Sequence, residues 1–371
     1  MRVKLWRSVL VGCCLASSAF AAEEIVLGQT VALSGPMAEH GKAIQAGARA
    51  YFSRINADGG VHGRRIVLKS LDDGGDANRA AENTARLIDQ ERVLAVFAGA
   101  EGGPCIASMK VAIERKTPLV ACLAGAAEFR ESYNRYVFPV RAGHQLEFER
   151  LVDTAAQFGQ FRMAFLHSDS ETGRKHLANV RKALARHQLD LTKAIVLPAK
   201  PDAEAIAREL REAKVDVAFN HGSYAAFAAV ITASRKLGAA TRFMAVNSGA
   251  QQMVRLLAGE AQGLVFTQVV PFPWGVAPPV VREYQRDLQA VDAAADFSFS
   301  SLEGYLSARV LVAGLQQAGA ATPNREALVN GLEKLGQYDL GGYAVSYSPR
   351  QHLGSSFVDT VIATRDGRFV H

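Results

Sequence analysis

From Ile25 onward, short runs of β-branched and apolar residues alternate with longer stretches of helical periodicity. This beat constrains the fold more than any other feature of the chain. Parallel strands need a crossover of a dozen or more residues, and a helix is the usual one, so the alternation predicts βαβ units. Residues 25–33, 65–71, 93–98, 118–123 and 136–140 read as strands, with helices at 42–57, 78–90 and 106–115 between them. A second series follows Arg141, with strands at 162–167, 191–197, 215–220, 242–246 and 263–269 and helices at 173–187, 203–213, 224–237 and 251–257. Two such series predict an α/β protein of two doubly wound parallel-sheet lobes. The pattern then changes: 271–279 is a Pro-rich crossing, 278–291, 301–318 and 324–335 are helical, and 341–370 reads as short strands around turns.

At 371 residues and 49% hydrophobic, the chain has material for two cores and is too apolar for disorder. Only residues 5–22 approach membrane hydrophobicity, which excludes a chain that crosses a bilayer several times by helices. That stretch follows Arg2, Lys4 and Arg7 and ends in Ala19-Phe20-Ala21, a small-x-small site, so residues 1–21 are expected to be a secretory signal peptide. Leu10-Val11-Gly12-Cys13 resembles a lipobox, but the apolar run before Cys13 is short, so lipid anchoring there is the lesser reading. A free periplasmic protein starting at Ala22 is expected, with Cys105 and Cys122 in an oxidising compartment. Loss of the three N-terminal cations lowers the formal charge from +6 to +3. The remaining basic residues are interleaved with acids, as in Arg208-Glu209-Leu210-Arg211-Glu212, so no nucleic-acid partner is expected.

Ligands of parallel sheets gather at the carboxyl ends of strands, where helix N-termini expose free N–H groups. Three loops there are built of small residues: Ser34 to Gly41, Gly99 to Cys105, and Ala124 to Ala127. None is a P-loop or a dinucleotide fingerprint. Nine histidines with no His-x-x-x-His pairing, and no Cys-x-x-Cys, give no expectation of a metal or other cofactor. Cys105 opens a helix and Cys122 ends the neighbouring strand, so the two are expected to form a disulfide. A Cys at a strand-to-helix turn is also a nucleophile candidate, with His221 or His40 as base, but no hydrolase motif supports catalysis and no enzyme is expected.

Val31-Ala32-Leu33-Ser34-Gly35-Pro36, Gly41, Gly47, the segment Ile55 to Arg64 and Leu71-Asp72-Asp73-Gly74 together resemble the opening of periplasmic substrate-binding proteins of the Leu/Ile/Val-binding type. The resemblance continues through Pro118, Tyr136 to Arg141, Ala213 to Asp216, Gly259 to Leu264 and Glu303-Gly304-Tyr305, covering essentially the whole mature chain. It implies the type I periplasmic-binding fold with a three-crossing hinge near Arg141, Val270 and Ala344. Lobe one would then hold residues 22–141 and 271–344, and lobe two 142–270 and 345–371. It also implies a monomer that closes on a small molecule and delivers it to an inner-membrane ABC permease. A ligand-sensing subunit for a receptor or sensor kinase is the alternative.

Relatives of this type hold an amino acid through hydroxyls and N–H groups after the third and fourth strands and an acid in the second lobe. This chain departs from that pattern. Gly102-Gly103-Pro104-Cys105 replaces a Ser-rich turn, Ala126 a Thr, Asn247 the acid, and His40 and Thr172 stand at often aromatic positions. Without that acid an ammonium lacks an obvious partner unless Glu101 supplies one, so within the amino-acid-like class a small carboxylate or amide-bearing ligand is expected rather than a plain branched-chain amino acid. The expected contacts are His40, Glu101, Gly103, Cys105, Ala124 and Ala126 from lobe one, with Thr172, Tyr224 and Asn247 from lobe two. Phe272, Trp274 and Phe299 are aromatic candidates near the mouth, although packing of the hinge or of helix interiors is the favoured reading for Phe272 and Phe299.

Overall fold

A computed structural model describes residues 24–97, 99–319 and 323–371. The expected signal peptide and Cys13 lie outside these residues. Among the described residues no helix is long and apolar enough to cross a membrane.

The first lobe opens with β1 (Ile25–Val31), α1 (Ala38–Ala57), β2 (Ile66–Asp72), α2 (Ala77–Asp89), β3 (Ala95–Phe97), α3 (Gly102–Glu114), β4 (Leu119–Val120) and β5 (Val137–Phe138). Its sheet is parallel throughout, in the order β2-β1-β3-β4-β5. The strands β3, β4 and β5 are buried along their whole length, which is why they read as unbroken apolar runs rather than alternating ones.

The second lobe contains α4 (His144–Gln157), β6 (Met163–His167), α5 (Glu171–Ala185), β7 (Lys193–Val196), α6 (Ala203–Glu212), β8 (Val217–His221), α7 (Tyr224–Lys236), β9 (Arg242–Ala245), α8 (Ala250–Leu257) and β10 (Val265–Gln268). The chain returns to lobe one as α9 (Pro279–Val291), α10 (Phe299–Gln317), α11 (Arg325–Glu333) and the antiparallel strands β11 (Gln337–Asp339), β12 (Ala344–Ser348) and β13 (Gln351–Gly354). It ends in lobe two with β14 (Asp359–Ala363) and β15 (Phe369–Val370), giving the sheet order β15-β14-β10-β9-β8-β6-β7. In that sheet β14 and β15 run antiparallel and the other neighbours are parallel.

The returning helix α10 is buried almost all round and crosses α1 at backbone contact. A Cβ on Gly47 would lie 1.7 Å from the Ser301 carbonyl oxygen, and one on Gly304 would lie 2.1 Å from that of Ile44, so only glycine fits at this crossing.

The structure corrects the third crossing. It falls at residues 355–358, not near Ala344, and 345–354 belong with lobe one. The inward face of β12 and β13 explains this. The Tyr347 hydroxyl donates to the Pro139 carbonyl at 2.8 Å, the Tyr343 hydroxyl to that of Val140 at 3.2 Å, and the His352 ring stacks on Phe138 at 3.9 Å. Sequence periodicity predicts no helix over residues 144–157, where the structure has α4.

Candidate ligand-binding cleft

A cavity of about 540 Å³ lies between the lobes, at the carboxyl ends of both sheets. The N-termini of α1, α3, α5 and α8 open onto it, so unpaired N–H groups and positive helix-dipole ends face the space. Its lobe-one wall is mostly loop backbone, and three sets of contacts hold those loops from behind. The Asp72 carboxylate accepts from the Ser34 hydroxyl at 2.6 Å and from the backbone N–H groups of Leu33, Ser34 and Gly74. The Ser34 bond, joined by those amides, outweighs the opposing effect of burial and holds Asp72 down at about 2. Cys105 and Cys122 are joined by a disulfide with a Cα–Cα distance of 5.8 Å, seated under Gly99. The Arg130 guanidinium donates to the carbonyls of Ala126 and Arg141.

The floor of the cleft is a buried polar network centred on Glu147, which is fully buried in α4. One of its oxygens accepts from Arg141 and from His144 Nδ1, the latter at 2.9 Å. The other accepts from the Thr267 hydroxyl at 2.5 Å and the Asn247 amide N–H at 3.1 Å. Burial opposes ionisation here, but Arg141 and His144 overcome it and hold Glu147 at about 2. Asn247 continues the network: its Oδ1 accepts from Arg141 at 3.1 Å and its Nδ2 donates to Glu303 at 3.4 Å. Burial pushes Glu303 up to about 7, against the pull of Arg141.

Three imidazoles converge beside this network. His144 begins α4, His176 lies in α5 and His221 ends β8, and one nitrogen from each lies within 4.8 Å of the others. Since a carboxylate only accepts, His144 Nδ1 carries the hydrogen toward Glu147 and leaves Nε2 with its lone pair. His176 is 1% exposed and neither of its ring nitrogens has a partner. Burial, reinforced by His144, lowers its pKa to about 3. His40, whose Nδ1 meets the Ser300 hydroxyl at 2.8 Å, is likewise lowered to about 4 by burial and Arg141.

Of the residues expected at the site, His40, Glu101, Gly103, Ala124, Ala126, Thr172 and Asn247 line the cavity. Cys105 and Tyr224 do not. The disulfide draws the Cys105 sulfur into the core, where the residue is 1% exposed, which also removes the free thiol that a nucleophile needs. Tyr224 is screened by Gly249, whose Cβ position is 3.0 Å from the tyrosine ring. Phe299 reaches the lining, while Phe272 and Trp274 pack beside it. Glu101 caps α3 and keeps its Oε1 buried without a partner, and burial together with Asp73 raises its pKa. Sequence reasoning missed roles for Arg141, Glu147, His144, His176 and Glu303. Arg141 and Glu303 stood inside the segments that carried the family resemblance, and that was the available signal.

Ion pairs bridge the lobes at two places on the rim. Arg255 of α8 meets Glu39 of α1 in a two-pronged contact, one prong at 2.5 Å. Lys175 of α5 meets Glu128 at 3.3 Å and Glu131 at 3.7 Å.

Two α/β lobes with a polar cavity between their strand ends define a two-lobed binding protein. Residues 24–361 match the family described as periplasmic binding protein, and the chain belongs to it. It is similar to the Leu/Ile/Val-binding protein homolog 3 of Brucella melitensis, 24% identical over 388 residues that span 100% of this chain and 99% of the relative. Among solved structures it resembles a possible leucine/isoleucine/valine-binding protein from Rhodopirellula baltica, at 28% identity with a TM-score of 0.84, covering 96% of this chain and 98% of that one. A branched-chain amino acid ABC transporter protein from Thermus thermophilus with bound valine shares the fold at 16% identity and a TM-score of 0.81, covering 94% and 95%.

Proposed function

We propose that this protein is the monomeric solute-binding component of an ABC importer, exported by cleavage after Ala21 and closing in the periplasm on a small amino-acid-like, carboxylate or amide ligand. The relatives' names support solute binding, the transporter named for the Thermus thermophilus structure supports the importer role, and the polar interlobe cavity supports capture by closure: a ligand touching both lobes stabilises the closed state by its extra contacts. The observation that carries the ligand class is Glu101 Oε1, buried in the cleft wall without a partner. A ligand amine or amide N–H satisfies that oxygen, while a carboxylate or carbonyl meets the helix N-termini and the backbone of Ala124 to Ala126.

Thermal shift of residues 22–371 tests the reading, using aliphatic amino acids, the same acids without the amine, and amides. A ligand selective for the folded state raises the melting temperature. The expected result is stabilisation by N–H-bearing ligands that Glu101→Gln weakens. Absence of any stabilisation across the panel, or full retention in the variant, overturns it.

A further inference from the structure

We propose that His144, His176 and His221 form a site for one divalent transition-metal ion of the zinc, nickel or copper class, on the lobe-two face of the cleft. This inference is independent of which solute the cleft carries. The three donors come from three different elements, α4, α5 and β8, each anchored in the lobe-two core, so the cluster is not a feature of one mobile loop. Their nitrogens lie within 4.8 Å of one another, and a tetrahedral site with metal–nitrogen bonds of about 2.1 Å needs separations of about 3.4 Å. Binding an ion requires the rings to draw together by that difference.

The second observation is His176. Buried imidazoles donate or accept hydrogen bonds almost without exception, yet both nitrogens of His176 are buried and unpartnered. A coordinated cation resolves this by taking one lone pair. His144 is already set for the same task, because Glu147 holds its Nδ1–H and aims Nε2 away, the carboxylate–histidine arrangement that orients metal-bound imidazoles. The adjoining Arg141 is charge-compensated by Glu147, so the dication does not meet an unpaired positive group. An all-imidazole donor set selects zinc, copper or nickel over magnesium or calcium, which require oxygen ligands. His221 is the partly exposed member and Gly222 beside it has no side chain, which leaves a fourth coordination position open to the cleft.

The test uses untagged protein of residues 22–371, freed of metal by chelation. Zinc titration by calorimetry and cobalt titration by visible absorption should both show one equivalent bound, with the cobalt bands of a tetrahedral nitrogen site, and magnesium should give nothing. His176→Gln and, separately, His221→Asn should each weaken zinc binding by roughly a hundredfold or more, since even an outer partner of a ligand contributes up to that much. His62→Gln, on the surface, should leave it unchanged. Circular dichroism and melting temperature report whether each variant folds, and His221→Asn, at the exposed edge, guards against misfolding of His176→Gln. Failure of the folded protein to bind zinc at millimolar concentration, or equal binding by both cleft variants, overturns the site.

Discussion

Across the cleft, the first lobe lines the cavity largely with small residues, Gly102, Gly103, Ala124 and Ala126, beside the side chains of His40 and Glu101, whereas the second lines it with the imidazoles of His176 and His221 and the amide of Asn247. The supports differ in the same way. A disulfide, the Arg130 guanidinium and the Asp72 carboxylate each pin a separate loop of lobe one, while on the lobe-two side one carboxylate, Glu147, gathers Arg141, His144, Thr267 and Asn247. A wall of backbone discriminates by shape and is vulnerable to added atoms. A wall of side chains discriminates by chemistry and is vulnerable to atoms removed.

The largest effect should come from removing the carboxylate on which the chemical wall rests. Glu147→Gln leaves Arg141 buried without its counter-ion, and breaking such a pair costs about 3–5 kcal/mol. Urea unfolding should show a midpoint lowered accordingly. The same group sets an acid limit for the wild type. Its pKa is lower in the folded chain than the 4.5 of an ordinary Glu, so its stabilisation is complete above about 4.5 and is lost as pH falls toward about 2.

An intermediate effect should come from adding atoms to the shape wall. Gly103 has no strained backbone angle and its Cβ position meets only the Ala77 Cβ, at 4.0 Å, so Gly103→Leu should fold with stability changed by less than about 0.5 kcal/mol. It should nonetheless abolish stabilisation by any ligand that protects the wild type in thermal shift. Normal binding by this variant would mean that lobe one does not read shape at this loop.

The smallest effect belongs to the rim, where the two walls meet. Arg255→Gln combined with Lys175→Gln removes exposed ion pairs that water and salt screen strongly, so ligand affinity should fall only several-fold. Calorimetry at high salt should erase the difference from wild type.

The shape wall was the more legible in sequence. Continuous apolar runs located β3, β4 and the loops after them, and the small residues there marked a close approach to backbone. Helix α4 was not legible, because the inward positions of its first turn are His144 and Glu147, and the apolar stripe begins only at Phe148 and Leu151. The histidine cluster was invisible to motif spacing: its members lie tens of residues apart and meet because β6 and β8 are neighbours and α4 packs on α5. Cys105 was expected both to bridge and to touch ligand. One sulfur does not serve both, and the bond to Cys122 turns it inward. The third crossing near Ala344 was implied only by the resemblance, and no residue pattern in 344–358 marks where the chain changes lobe; Tyr343, Tyr347 and His352 pack on β5 and the residues after it.

The rim pairs are separated along both sheets. Glu39 follows β1 and Glu128 follows β4, with β3 between those strands, while Arg255 follows β9 and Lys175 follows β6, with β8 between them. The three crossings and the Asn247–Glu303 contact hold the lobes together at the hinge and floor, and two contacts spaced across the mouth add restraint at its far side, so the outer surfaces of both lobes are presented in a narrower range of mutual orientations whenever the mouth is shut.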